Sequence, residues 1–231
     1  MTTITNTRNL NIGVAVTVLL IGTIAAYVNI GLAPVIIVGG AGLIGLLMWM
    51  KTYLDDPLDP RIILPPFLLT VAALEVHLAE EYLTGFGPAM SRVFDISWTE
   101  RSFLLVFAFI GPATYTLTAL GLFYRVRFAG FVAWFIFCGP GLMEFTHFIF
   151  PLIEPAVLPQ VTDAVSREVS NGGFVVNMPN YWIRATGHYY FSGMYTAVLP
   201  MIPGIWAIVR SLRARRQATS EHHRLSAPLA A

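Results

Sequence analysis

Cysteine is almost absent from this chain: Cys138 is the single one, set inside an apolar run. That excludes an internal disulfide and any thiolate metal cluster. Lysine occurs once, at Lys51, against thirteen arginines, which we read as genome composition. Charge of either sign is scarce. Asp, Glu, Lys and Arg together make up 12% of the residues, about half the share usual in a soluble domain. The formal net charge of +1 gives no bias toward nucleic acid, and no nucleic-acid partner is expected. Internal repeats and low-complexity segments are also missing. The two-halves pattern of many secondary transporters is therefore not visible.

What the chain has is apolar surface. Of its 231 residues, 56% are hydrophobic, and the mean hydropathy is +0.67. A soluble fold of this size would leave large apolar patches in water. A helix that spans a bilayer needs about 20 mostly apolar residues. Six segments qualify, near 11–31, 33–50, 62–83, 103–124, 128–150 and 188–210. The fold class expected is all-α: a polytopic membrane helix bundle of about six transmembrane helices, one domain over 1–210. The first segment is too long and too weakly flanked by basic residues for a cleaved signal peptide. The second is short, and Gly39, Gly40, Gly42 and Gly45 suit close helix packing. The tail 211–231 is polar and expected to be disordered and cytoplasmic. Its His222 and His223 read as solvated.

Orientation follows from Lys and Arg in the connecting segments. With the N-terminus inside, the inner segments hold ten such residues: Arg8, Lys51, Arg61, Arg125, Arg127, Arg210, Arg213, Arg215, Arg216 and Arg224. The outer segments hold four: Arg92, Arg101, Arg167 and Arg184. Both termini are expected in the cytoplasm. The longest loop, 151–187, then lies outside, with an amphipathic stretch near 160–169. Tyr181, Trp182, Tyr189 and Tyr190 read as an aromatic belt.

Ionisable groups inside hydrocarbon are costly, so they are candidates for function by default. The third segment carries Glu75, His77, Glu80 and Glu81; the fifth carries Glu144 and His147; the sixth opens on His188. His77 with Glu80 is i,i+3 and His77 with Glu81 is i,i+4, so the three share a helix face. Glu144 and His147 share one in the same way. Glu75 points elsewhere and is left out. At about 1.5 Å per residue, all three clusters fall at one depth, in the outer third of the bilayer. A His-x-x-Glu-Glu facing a Glu-x-x-His has the spacing of metal ligands in carboxylate-bridged bundles. Imidazole with carboxylate suits iron, manganese or zinc, as one or two ions. The metal ligands expected are His77, Glu80, Glu81, Glu144 and His147. Glu80 would bridge or act as general base, and His188 would be a further ligand or acid. The plain alternative is that a lone intramembrane His or Glu is a helix–helix hydrogen-bond partner.

The run His77-Leu78-Ala79-Glu80-Glu81-Tyr82 resembles the signature of the HXXEE family of bacterial integral membrane proteins. The later HYYFSGMYTAVLPMIPG is similar to the tyrosine-rich segment near that family's C-terminus. The resemblance covers residues 62–210 and implies a multi-pass protein of the bacterial inner membrane. A fainter likeness, carried by His77 and Glu81, points to the emopamil-binding protein family of sterol isomerases. It implies metal-free proton transfer on a lipid-like substrate.

Three readings follow. The first is a membrane enzyme acting on a lipophilic small molecule through a His/Glu metal centre. The second is a metal-free acid/base isomerase of a sterol- or polyprenyl-like substrate, with His77 and Glu81 moving the proton. The third is a proton- or cation-coupled transporter. Membrane lipids are partners in all three. A purely structural subunit is the bland fourth.

Overall fold

The computed structural model describes residues 2–96, 98, 100–156, 168–170, 173–175 and 182–226. Among them, five helical segments are long and apolar enough to cross a membrane: Thr7–Val28, Val35–Thr52, Pro60–Thr84, Arg101–Phe123 and Arg127–Leu152. They mark a multi-pass membrane protein.

The first span lies in α1, Thr2–Ile30. Gly31, at φ +116°, turns the chain into a short helical piece, Leu32–Pro34, and a π-helical turn, Val35–Gly39. α2, Gly40–Thr52, completes the second span. α3, Pro60–Thr84, is set by local chemistry at both ends. The Asp59 carboxylate accepts the Arg61 N–H at 2.7 Å, and Pro60 takes the first helical position, where its missing N–H costs nothing. Gly85, left-handed at φ +75°, ends the helix and starts α4, Phe86–Phe94. The fourth span runs through Glu100–Phe103 and a π-helical stretch, Leu104–Ile110, into α5, Gly111–Phe123.

The fifth span is not the single helix expected over 128–150. α6, Arg127–Cys138, stops at Gly139-Pro140-Gly141, and the chain resumes as two 3₁₀ turns, Met143–Phe148 and Phe150–Leu152. Glu144 and His147 therefore sit on a 3₁₀ turn. With about three residues per turn, side chains at i and i+3 eclipse, so the pair shares a face more closely than on an α-helix.

The sixth expected span is corrected more deeply. Residues 188–191 have no regular structure and 192–197 are turn, and the helix α7 begins only at Val198 and runs to Ser226. Pro200 suits this start: without an N–H it cannot bond the carbonyl of Thr196, so it falls in the first turn of α7, where that bond is not needed. Twelve apolar residues, 198–209, precede Arg210, about 18 Å of helix, too short to span alone. The tail expected to be disordered is helical to Ser226. Of the long loop expected on the outer face, Glu168–Ser170 and Gly173–Val175 pair as a small antiparallel hairpin, β1 and β2. The amphipathic stretch near 160–169 lies almost wholly outside the described residues, as does Tyr181.

Two cores fill the bundle. The larger gathers Trp49, Tyr53, Phe67, Trp134 and Phe137 between α2, α3 and α6. Gly45 lets α2 and α6 meet: a Cβ there would lie 3.0 Å from the Phe135 nitrogen. This end is rimmed by Arg8–Asp55 at 2.9 Å and Arg215–Asp56 at 3.0 Å. Arg125 and Arg210 donate to the carbonyls of Pro57 and Arg61. The second core, Leu74, Leu78, Phe86, Met90, Phe150 and Phe191, lies at the other end of α3. His77 is seventeen residues beyond Pro60, about 26 Å along the axis.

Candidate metal centre

The second core closes around four polar side chains. α3 supplies His77 and Glu81, one turn apart; the 3₁₀ turn supplies Glu144 and His147. One ligand atom from each lies within 4.8 Å of all the others, and the group could hold a metal ion. Burial is severe. The side chains of His77, Glu81, Glu144 and His147 are 0%, 5%, 16% and 2% exposed. Phe86, Phe150 and Phe191 surround the His147 ring at centroid distances of 5.4, 5.8 and 5.9 Å. The two imidazoles meet edge to face, 4.8 Å between centroids.

Both imidazoles turn Nε2 to the centre. His77 Nε2 is 3.4 Å from Glu81 Oε1 and 3.1 Å from Glu144 Oε2. His147 Nε2 is 3.2 Å and 3.0 Å from the same two oxygens. The outer nitrogens decide where the ring protons are. His147 Nδ1 lies 2.7 Å from the Ser192 carbonyl, which can only accept, so Nδ1 carries a proton and donates it. His77 Nδ1 lies 3.1 Å from Thr196 Oγ1. That hydroxyl already donates to Glu80 Oε2 at 2.6 Å, so it accepts from His77.

Neutral imidazoles protonated at Nδ1 present a bare lone pair at Nε2. In that state two lone pairs and two carboxylate oxygens converge as four acceptors; in the imidazolium state each Nε2–H donates to a carboxylate instead. Buried acceptors crowded in this way repel one another unless positive charge sits among them. The spacing fits a cation. Bonds of about 2.0–2.2 Å to one ion place tetrahedral ligands roughly 3.3–3.6 Å apart. The four imidazole–carboxylate edges of 3.0, 3.1, 3.2 and 3.4 Å lie at or just under that, within hydrogen-bonding range, and the whole group fits within 4.8 Å.

Two residues expected in the centre stand outside it. At about 100° per residue, Glu80 lies some 60° to one side of His77 and Glu81 some 40° to the other, so the two acids diverge. Glu80 faces the turn before α7. It accepts the Thr196 N–H at 2.8 Å, the Tyr195 N–H at 3.3 Å and the Tyr190 hydroxyl at 3.2 Å. His188 is exposed and lies outside the four-residue group. Glu75, left out from the start, is exposed.

Sequence reasoning missed the segment 188–197 as part of the site. Ser192 donates to the Glu81 carbonyl at 3.2 Å and shares a 2.6 Å hydrogen bond with Thr84. Gly193, at φ +83°, rests on the ligands: a Cβ there would lie 2.8 Å from Glu81 Cγ and 2.9 Å from Cε1 of each histidine. The signal was present as Ser192-Gly193 and Pro200 inside one apolar run, a helix-breaking pattern. Glu81 also lines a small cleft with Tyr82, Gly85, Phe86, Gly87, Pro88 and Phe103.

The chain matches no family model, no curated protein and no solved structure.

Proposed function

We propose that this protein is an integral membrane enzyme that acts on a lipophilic small molecule at a metal centre held by His77, Glu81, Glu144 and His147. The observation that carries the reading is the convergence of two Nε2 atoms and two carboxylate oxygens within 4.8 Å of one another, with each outer Nδ1 facing an oxygen that accepts. A divalent cation offsets two carboxylates at once and takes both imidazole lone pairs in a single group of four ligands. Two nitrogens and two oxygens with no sulfur suit zinc, iron or manganese. Such an ion supplies Lewis acidity and an activated water.

The chain's own residues do the rest. Phe86, Phe150 and Phe191 exclude bulk water. Glu81 gives the centre a wall in the cleft, whose other walls at Tyr82, Phe86, Pro88 and Phe103 are mostly apolar. Tyr82 is partly exposed on the outer surface of α3, so the cleft suits a guest arriving from the bilayer. The resemblance to the HXXEE family supports a bacterial inner-membrane setting. The basic rim supports cytoplasmic termini, with the segment 188–197 and α7 together making a sixth crossing.

The metal-free isomerase is the second reading. It is favoured by the same 3.0–3.4 Å spacings, each of which could hold a proton between imidazole and carboxylate. The test uses the full chain in detergent with a membrane lipid extract, followed by mass spectrometry. Conversion that stops on chelation and returns with added metal supports the enzyme proposed. Conversion by fully stripped protein supports the isomerase, and no conversion by metal-loaded protein overturns both.

A further inference from the structure

Resting on the metal reading, we propose that Glu80 and Thr196 are positioning residues that fix the ring tautomer of His77, and that Glu80 is not a ligand. The geometry assigns each proton in the chain of contacts. Glu80 Oε2 receives two donors from one residue, the Thr196 N–H at 2.8 Å and its hydroxyl at 2.6 Å. Glu80 Oε1 receives the Tyr190 hydroxyl and the Tyr195 N–H. A carboxylate offers no proton of its own, so the Thr196 hydroxyl hydrogen is committed to Glu80. Its free lone pair then faces His77 Nδ1 at 3.1 Å, and the imidazole donates there. The consequence is felt at the far side of the ring, where Nε2 keeps its lone pair toward Glu81 and Glu144.

The same device appears on the other histidine in simpler form, where the Ser192 carbonyl holds the Nδ1 proton of His147. Both anchors come from the one turn, 192–196, and Gly193 between them lies flat on the ligands. Outer partners of this kind set the tautomer and basicity of metal-binding histidines. On this account the Glu80-Glu81 pair divides its labour. Glu81 reaches the centre, while Glu80, one residue earlier, orients the histidine through a hydroxyl.

The substitutions separate orientation from ligation. Thr196→Val keeps the shape and removes the hydroxyl. Glu80→Leu removes the acceptor. Glu80→Gln can place its amide oxygen at the Oε2 position, still accepting from the Thr196 hydroxyl, so the His77 tautomer survives. Thr196→Ser restores the hydroxyl. The probe is Co²⁺, titrated into the metal-stripped full-length protein in detergent, with affinity and visible absorption read together.

Wild type and Glu80→Gln should bind alike. Thr196→Val and Glu80→Leu should weaken binding about 10–100-fold and alter the absorption bands, and Thr196→Ser should recover both. Should Thr196→Val fail to fold, Glu80→Leu against Glu80→Gln makes the same comparison. Wild-type affinity and spectrum in both Thr196→Val and Glu80→Leu overturn the relay and leave the metal centre standing. Glu80→Gln as weak as Glu80→Leu overturns it as well, since the negative charge rather than the acceptor would then matter. No Co²⁺ binding by wild type overturns the metal reading and the relay together.

Discussion

At one end of the bundle Trp49, Tyr53, Phe67, Trp134 and Phe137 pack into a dry aromatic core. About 15 Å further along α3 from Phe67, two histidines and two glutamates are buried almost as completely. The two ends treat polar atoms differently. In the dry core the Tyr53 hydroxyl and the Trp134 Nε1 are buried without a hydrogen-bond partner among the described residues, and at the rim of the second core so is Trp98 Nε1. Around the histidines each outer ring nitrogen has a named acceptor, and each Glu80 oxygen receives two donors. The dry core holds the helices together and tolerates stranded donors. The polar end spends a whole segment of chain, 188–197, on orienting side chains that face inward. Placement of protons, more than packing, shapes that end.

This contrast can be broken by substitution, and the largest effect should come from the ligands themselves. Removing Glu81 and His147 together, as Glu81→Ala with His147→Ala, should abolish metal binding measured by Co²⁺ titration. It should leave the far-ultraviolet circular dichroism of the helices unchanged. If binding persists, the four residues are not the site. Next comes the dry core. Gly45→Val would push a side chain into the α6 backbone at Phe135. Overpacking of this sort costs about 1–3 kcal/mol. Thermal unfolding should occur at lower temperature, with Co²⁺ affinity at low temperature retained.

Gly193→Ala probes the boundary between the two behaviours. A non-glycine residue in left-handed backbone costs roughly 1–2 kcal/mol, and the added Cβ would displace Glu81 and both histidines. Unlike the Gly45 variant, it should lower stability and Co²⁺ affinity together. The smallest effect is expected at Tyr53→Phe. Deleting a buried hydroxyl with no partner removes a desolvation penalty, so stability should hold or rise by up to about 1 kcal/mol. A marked loss would mean that the hydroxyl has a partner after all.

How much of this was legible in the chain depends on what had to be read. The long apolar runs marked α1, α3 and the α5 span, because an apolar stretch of some twenty residues has few other homes. Four of the clustered polar residues, His77, Glu81, Glu144 and His147, could be picked out by helical spacing. The break at Gly139-Pro140-Gly141 was written in the sequence but hidden by the hydrophobicity around it. The role of Glu80 was not legible. Spacings of three and four residues look equivalent on a helix face, yet they diverge by about 100°, and only the partner surface decides which side faces in. Thr196, Ser192 and Gly193 were invisible for a related reason. Their importance lies in contacts across more than a hundred residues to α3, and no local pattern encodes those.

The central claim is that the four buried ligand atoms of His77, Glu81, Glu144 and His147 hold a metal cation. The most direct measurement is elemental analysis of the full-length protein purified without chelators, beside His77→Ala prepared in the same way. The account predicts near-stoichiometric zinc, iron or manganese in the wild type and its loss from the variant. Wild-type protein that holds none of the three, and takes up none when each is supplied, would contradict it.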